Sequence, residues 1–379
     1  MSRQPSIWLT ALSHLKTETP SRPVLYFAPA TLQATARRFI DGFDGLVTYA
    51  VKANDSRVVL ENLVAAGISA FDVASPEEMH ALRAVSPDAV MHYNNPVRSR
   101  AEIAEAVALG VKSYSVDAPH EFRKLQAQVA PKGIEVAVRL RLPVAGAAYH
   151  FGAKFGADTE DAIALLKEVA QAGYTPSMTF HPGTQCAEPA AWSTYIVTCA
   201  DVAKKAGVRL ARLNVGGGFA ADRGVAPDLE AIFDAIHNTA QSAFGADVPR
   251  LVCEPGRAMV AEAFTLATQV KSIREDGAVF LNDGIYGALS EAPSIGVPDR
   301  IVTVTPKGKA HQGIATPRVV FGPTCDSIDQ LPHPLALPAD LAEEDYVLFA
   351  GMGAYSMATV TRFNGYGVLE LVTVQHAGL

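Results

Sequence analysis

Several short stretches carry residue types that could do chemistry together. Residues 49–54 read YAVKAN and place Lys52 just after the apolar run Leu46-Val47-Thr48. HPGTQ at 181–185 offers His181 after another apolar run, and LNVGGGF at 213–219 offers consecutive glycines. CEPGR at 253–257 offers Glu254 and Arg257, and GPTCDS at 322–327 offers Cys325 and Asp326. A lysine amine condenses with an aldehyde to a Schiff base. Glycines let a backbone approach an anion closely, and their N–H groups can hold phosphate. A carboxylate can keep a pyridine nitrogen protonated, so that the ring takes up electrons. Lysine, phosphate cradle and carboxylate at one mouth suggest pyridoxal 5'-phosphate. Taken singly, each residue reads more plainly. Lys52 is a strand end meeting water, GGG a tight turn, Glu254 a solvated turn acid and His181 a satisfied core histidine. Cys325 alone is a small buried hydrophobe.

Elements must gather these residues. Short apolar or β-branched runs recur at Leu46–Val51, Ile68–Val73, Val90–Tyr93 and Ser113–Val116, then at Glu135–Leu140, Ser177–Phe180, Arg212–Val215 and Arg250–Cys253. Between most of them lie helix-like segments such as PEEMHALRAV, SRAEIAEAVALG, DTEDAIALLKEVAQAG and YIVTCADVAKKAG. Alternating β and α units predict an α/β fold built on a (β/α)8 barrel, with an open doubly wound sheet as the rival. The strand ends offer Lys52, Asp72, Asn94-Asn95, Asp117, Arg139, His181, Gly216 to Gly218 and Glu254. A barrel brings its strand ends to one face, where active sites form, and its last loops commonly hold phosphate.

Beyond about residue 265 helical patterns thin out and β-like runs appear at Ala278–Asn282, Ile301–Thr305, Arg318–Phe321, Tyr346–Ala350 and Gly367–Val374. The expected division is a barrel over residues 30–264 and a mostly β domain over 265–379, with residues 1–29, which include VLYFA, packing on the latter.

Composition bounds the function. The 379 residues are 49% hydrophobic and 19% charged, which fits a globular chain. A net charge of −7 leaves no basic footprint for nucleic acid. Cys186, Cys199, Cys253 and Cys325 form no C-x-x-C pair, which points to a reducing cytoplasm. No apolar signal core opens the chain, and the longest uncharged apolar stretch, Tyr346 to Thr361, falls short of the roughly 20 residues of a membrane span, so no membrane partner is expected. No residue pattern calls for a metal.

YAVKAN, FDVAS at 71–75, HPGTQ, LNVGGGF, CEPGR, GPTCDS, GAY at 353–355 and FNG at 363–365 together resemble the ornithine decarboxylases. That family has the alanine-racemase-like fold and also holds diaminopimelate and lysine decarboxylases. The resemblance runs from about residue 25 to about 370. It implies that Lys52 carries the cofactor, Glu254 pairs with the pyridine nitrogen and His181 lies against the ring. It implies that Thr184, Gly217, Gly218, Gly256, Arg257 and Tyr355 hold the phosphate. Asp72, Glu78 and Arg139 become the polar support around Lys52 and the ring. Thr184 stands where serine is more usual and Pro182 where valine is, and the hydroxyl is kept. The resemblance implies that Cys325 protonates the substrate carbon after carbon dioxide leaves, and that Asp326 meets the distal ammonium. By the same resemblance Glu291, in GALSE, and Phe363, in FNG, are expected to face the substrate. The resemblance further implies a homodimer whose two sites are shared, with Cys325 serving the other subunit's site.

Diaminopimelate decarboxylases tend to carry CES where this chain has Cys325-Asp326-Ser327, which favours a simple diamine precursor. Ornithine, giving putrescine for polyamine synthesis, is the first expectation and lysine the second. Arginine is disfavoured because biosynthetic arginine decarboxylases of this fold are much longer. An amino-acid racemase would pair the pyridine nitrogen with arginine, not Glu254. A non-catalytic relative that binds a regulatory protein has no need of both Lys52 and Cys325. A cofactor-free barrel hydrolase would show no visible absorption band.

Overall fold

The structure is a computed structural model that describes residues 7–143, 148 and 152–378. The chain divides into two compact units. One runs over Ala36–Ala220 and Pro227–Gly256; the other takes the residues up to Thr35, Ala221–Ala226 and Arg257 onward.

The first unit is a closed barrel of parallel strands: Leu46–Ala50, Ala70–Val73, Val90–Tyr93, Ser113–Val116, Glu135–Arg139, Thr175–Thr179, Arg212–Asn214 and Arg250–Cys253. Each expected strand is present, within a few residues of its expected ends. Closure rules out the open sheet: Leu46 and Val47 pair with Val252 and Cys253 of the last strand. The strands are short and nearly continuously buried, as strands covered on both faces must be. The intervening helices start where the chain supplies caps. Ser75 accepts from the Glu78 N–H ahead of Pro76–Val85, and Ser99 and Glu102 form a capping box ahead of Arg100–Ala108. Inside the barrel, Arg212 donates to Glu135 at 2.5 Å and reaches His92 Nε2 at 3.2 Å. These strands are not neighbours, so both contacts cross the interior.

The second unit is built on a seven-stranded sheet. Its centre is Phe264–Ile273, a strand that the sequence pattern did not reveal. Val24–Phe27 pairs with it antiparallel on one side and Tyr346–Ala350 on the other. Val24–Phe27 is the strand inside VLYFA, and Phe27 stacks on Phe264 at 4.7 Å. Ile301–Val304 and Glu370–Thr373 flank the sheet, and Val279–Leu281 extends it. The expected run Arg318–Phe321 is split: Ala315–Arg318 pairs with Leu335–Pro338, and Val320–Phe321 pairs with Val279–Leu281.

Candidate active site

Lys52 sits on the single helical turn Val51–Ala53 that follows the first barrel strand. The last barrel loop lies against the chain there. Ala50 N–H donates to Pro255 O at 3.3 Å, and a side chain at Gly256 would stand 3.1 Å from Ala53 Cβ and 3.2 Å from Ala50 Cβ. The Glu254-Pro255-Gly256 loop is thereby seated on the turn that carries the lysine.

Glu254 is buried at the end of the last strand. Asn94 and Asn214 both donate their side-chain amides to its Oε1. Burial raises its carboxyl above the usual range, while the Asn214 and Asn94 bonds and the Lys52 and Arg139 charges pull the other way. Asp72 is buried too; burial first, and then the nearby Glu254 charge, hold its carboxyl well above the usual range against Lys52 and Arg139. Burial conversely lowers the Arg139 guanidinium, which stacks over Phe155 at 5.2 Å. Glu78 accepts from Ala74 N–H at 2.7 Å, and burial raises its carboxyl.

His181 accepts the Gly183 N–H at Nδ1, 3.1 Å away. Burial, with the Lys52 and Arg139 charges, pushes its pKa well down, so the ring is neutral and carries its proton on Nε2. The glycine run explains itself in this setting. Gly216 and Gly218 have φ of 69° and 86°, and a Cβ on them would stand 2.1 Å from Phe180 O and 2.3 Å from Gly183 O. A Cβ on Gly217 would stand 2.6 Å from Glu254 O and 3.3 Å from His181 Nε2. The backbone thus lies flat against the histidine and the glutamate loop. Thr184 is buried in the same loop region, where Cys186 N–H donates to Gly218 O at 2.8 Å.

The other predicted residues belong to the second unit. Arg257 forms a two-pronged ion pair with Glu291 and lies over the Tyr355 ring at 5.0 Å. Glu291, expected at the substrate's tail, accepts from Arg257 with both its oxygens. Cys325 is exposed, and its N–H donates to Asn364 Oδ1 at 2.9 Å. Asp326 accepts from the Tyr286 hydroxyl at 2.5 Å, and the Tyr286 ring lies 5.0 Å from that of Phe363. Asp329 shapes this loop by accepting from Thr324 N–H and Oγ1–H. No sequence motif points to a role for Asn214 or Tyr286, and Asn94 stands out in the sequence only as a polar strand end.

A bound group fits this barrel mouth. Asp72 Oδ1 is buried without a hydrogen-bond partner among the described residues, and such a vacancy calls for a donor. The buried Glu254 suits a protonated ring nitrogen, a neutral imidazole suits a ring face, and the glycine backbone suits a phosphate. The pyridoxal-binding domain of the pyridoxal-dependent decarboxylases matches residues 30–261. The chain belongs to this family.

The decarboxylase is 34% identical to the lysine/ornithine decarboxylase of Selenomonas ruminantium over 84% of this chain and 81% of that one. It is 30% identical to the ornithine decarboxylase of Panagrellus redivivus over 84% of this chain and 77% of that one. The solved arginine decarboxylase of Paramecium bursaria Chlorella virus superposes with a TM-score of 0.85 at 26% identity, covering 95% of this chain and 98% of that one. That last match corrects the length argument: a chain of this size can be named an arginine decarboxylase, so length does not disfavour arginine. The decarboxylase uses pyridoxal phosphate and acts on a basic amino acid. No helix among the described residues is long and apolar enough to cross a membrane.

Proposed function

We propose that the enzyme decarboxylates L-ornithine to putrescine, with L-lysine as the alternative substrate. The observation that carries the reading is the loop holding Asp326, a half-buried carboxylate oriented by Tyr286 and suited to a distal ammonium. The names of the relatives support a basic substrate, and lysine/ornithine is among them.

Bound pyridoxal phosphate supplies a protonated ring that takes up the electron pair left when carbon dioxide departs. Lys52 provides the amine that holds the cofactor and yields to the substrate amine. Glu254, fixed by Asn94 and Asn214, keeps the ring nitrogen protonated when in its ionised form. Asp72 and Arg139 shape the field around it. His181, neutral, covers the ring without adding a competing charge. Gly217, Gly218, Gly256, Thr184, Arg257 and Tyr355 hold the phosphate. Cys325 delivers the proton to the former α-carbon.

We place Cys325 at the site of a second copy of the chain. Its exposure, with Ile328 63% and Phe363 40% exposed beside it in sequence or through Tyr286, supports a surface that a partner covers. Mixing inactive Lys52→Ala and Cys325→Ala proteins should then restore part of the activity, because one hybrid site is intact. The free cysteines support a reducing cytoplasm.

The test is carbon dioxide release by the cofactor-loaded protein from L-ornithine, L-lysine, L-arginine and meso-diaminopimelate, with Lys52→Ala as blank. Preferential release from ornithine supports the proposal. Preferential release from arginine or diaminopimelate refutes the substrate assignment. Release from none, with cofactor visibly bound, would bring racemisation forward.

A further inference from the structure

We infer that Arg98 is a positioning residue for Glu254, acting through Ser115 and Asn94; the inference rests on the reading of Glu254 as the carboxylate of the ring nitrogen. Arg98 is 2% exposed. Its guanidinium lies between the rings of Tyr93 and Tyr114, at 5.1 and 5.6 Å. Nη1 donates to Tyr93 O at 3.1 Å, and Nη2 donates to Ser115 O. The Ser115 hydroxyl in turn donates to Asn94 O at 2.8 Å. Tyr93 is the last residue of its strand, so its carbonyl and that of Asn94 lie where the ladder to Ser113–Val116 runs out. The clamp fixes both carbonyls in succession. On the other side Asn94 N–H donates to Val73 O at 3.3 Å. With its backbone held from both sides, Asn94 aims its amide at Glu254 Oε1.

The arginine is an expensive choice for mere filling. No carboxylate oxygen meets its guanidinium, and its Nε has no partner among the described residues. Packing alone would be served better by an apolar side chain. Two diverging carbonyls at a ladder's end, however, match the fixed fork of a guanidinium. The arginine's own backbone is anchored in turn. Lys124 Nζ donates to Arg98 O at 2.5 Å, Arg98 N–H reaches Glu121 at 3.4 Å, and Lys124 pairs with Glu121 at 2.8 Å.

Ser115→Ala removes one hydroxyl and leaves Arg98 in place; Arg98→Lys keeps the charge and loses the fork. Crystal structures of both holoenzymes are expected to show the Asn94 amide turned from Glu254. Their kcat should fall about tenfold with KM within about twofold, as for one lost hydrogen bond to a charged group. Added to Asn94→Ala, neither substitution should lower kcat further, because all act through one amide. An Asn94–Glu254 bond kept in both variants, or losses that multiply in the double variants, overturns the inference. Should Arg98→Lys not fold, Ser115→Ala decides alone. Glu254→Gln separates the two readings: unchanged kcat and cofactor absorption there would sink the role of Glu254, while the crystallographic position of Asn94 still judges the clamp.

Discussion

Arg257 and Glu291 meet fork to fork, with Nη1 2.6 Å from Oε2 and Nη2 2.6 Å from Oε1. The guanidinium is buried, and the ring it covers belongs to Tyr355, whose φ of 61° lies in the left-handed region. Such backbone persists where its surroundings fix it. Removing the carboxylate takes a two-pronged partner from a buried cation. Glu291→Ala is therefore expected to lower stability by about 3 kcal/mol, and Glu291→Gln by less, because an amide oxygen still accepts. Urea unfolding measures this. A loss below about 1 kcal/mol, the range of exposed pairs, would mean that Arg257 is held by something else.

Asn214 reaches Glu254 from the strand beside it, and its Oδ1 also accepts Gly216 N–H at 2.9 Å. Burial raises the Glu254 carboxyl and the asparagine bonds restrain it. Activity needs the ionised form, so the rate falls as pH drops through this pKa. Removing a donor raises the pKa, so the acid limb moves upward. Asn214→Ala should shift the acid limb of kcat up by about one pH unit, the worth of one such bond. An unmoved or downward-moved limb would count against Glu254 as the controlling group.

The barrel was legible because its strands are compact apolar runs that end on polar residues, with helical patterns between them. The central strand Phe264–Ile273 was not, because FTLATQVKSI mixes Thr, Gln, Lys and Ser into its run and begins where the barrel ends. Leu335–Pro338 reads as a turn because prolines flank and close it. At the site, Lys52 and Glu254 were visible as strand ends within motifs. Asn214 was hidden inside LNVGGG, where asparagine next to glycine signals a turn. Arg98 was missed because arginine usually belongs to the surface. The Arg257–Glu291 pair joins residues 34 apart, and no local pattern reports such a contact.

Asp283 is a buried carboxylate that holds the turn from Gly284 to Leu289 by accepting Ala288 N–H at 2.9 Å. Burial pushes its pKa up to about 7, against the bonds from Ala288 and Gly284. A folded pKa above the unfolded one means that the fold binds the proton more tightly. Its contribution to stability is fully present below about pH 4 and is lost as pH rises towards 7, a swing of a few kcal/mol, on the order of 1.4 per unit. Asp283→Asn cannot ionise and should flatten this part of the profile. Unfolding free energy between pH 5 and 8 should therefore fall more steeply in the natural protein than in the variant. Parallel slopes would show that Asp283 keeps an ordinary pKa.

Tyr286 donates its hydroxyl to Asp326 Oδ2 at 2.5 Å, and this bond is the leading reason that the Asp326 carboxyl lies below its ordinary pKa. The carboxylate is thereby kept charged and pointed in one direction, while Thr361 holds the Tyr286 backbone through its N–H at 2.9 Å. If Asp326 meets the substrate's distal ammonium, the two residues act on substrate binding and not on the carbon that loses carbon dioxide. Tyr286→Phe should then raise KM for ornithine about threefold to tenfold, as for one hydrogen bond, with a smaller change in kcat. Asp326→Asn should raise KM further, because it removes the charge that the ammonium seeks. Steady-state kinetics on ornithine and lysine separate the outcomes. A fall in kcat at unchanged KM in both variants would place the pair at the reacting carbon, beside Cys325, and would falsify the assignment to the tail.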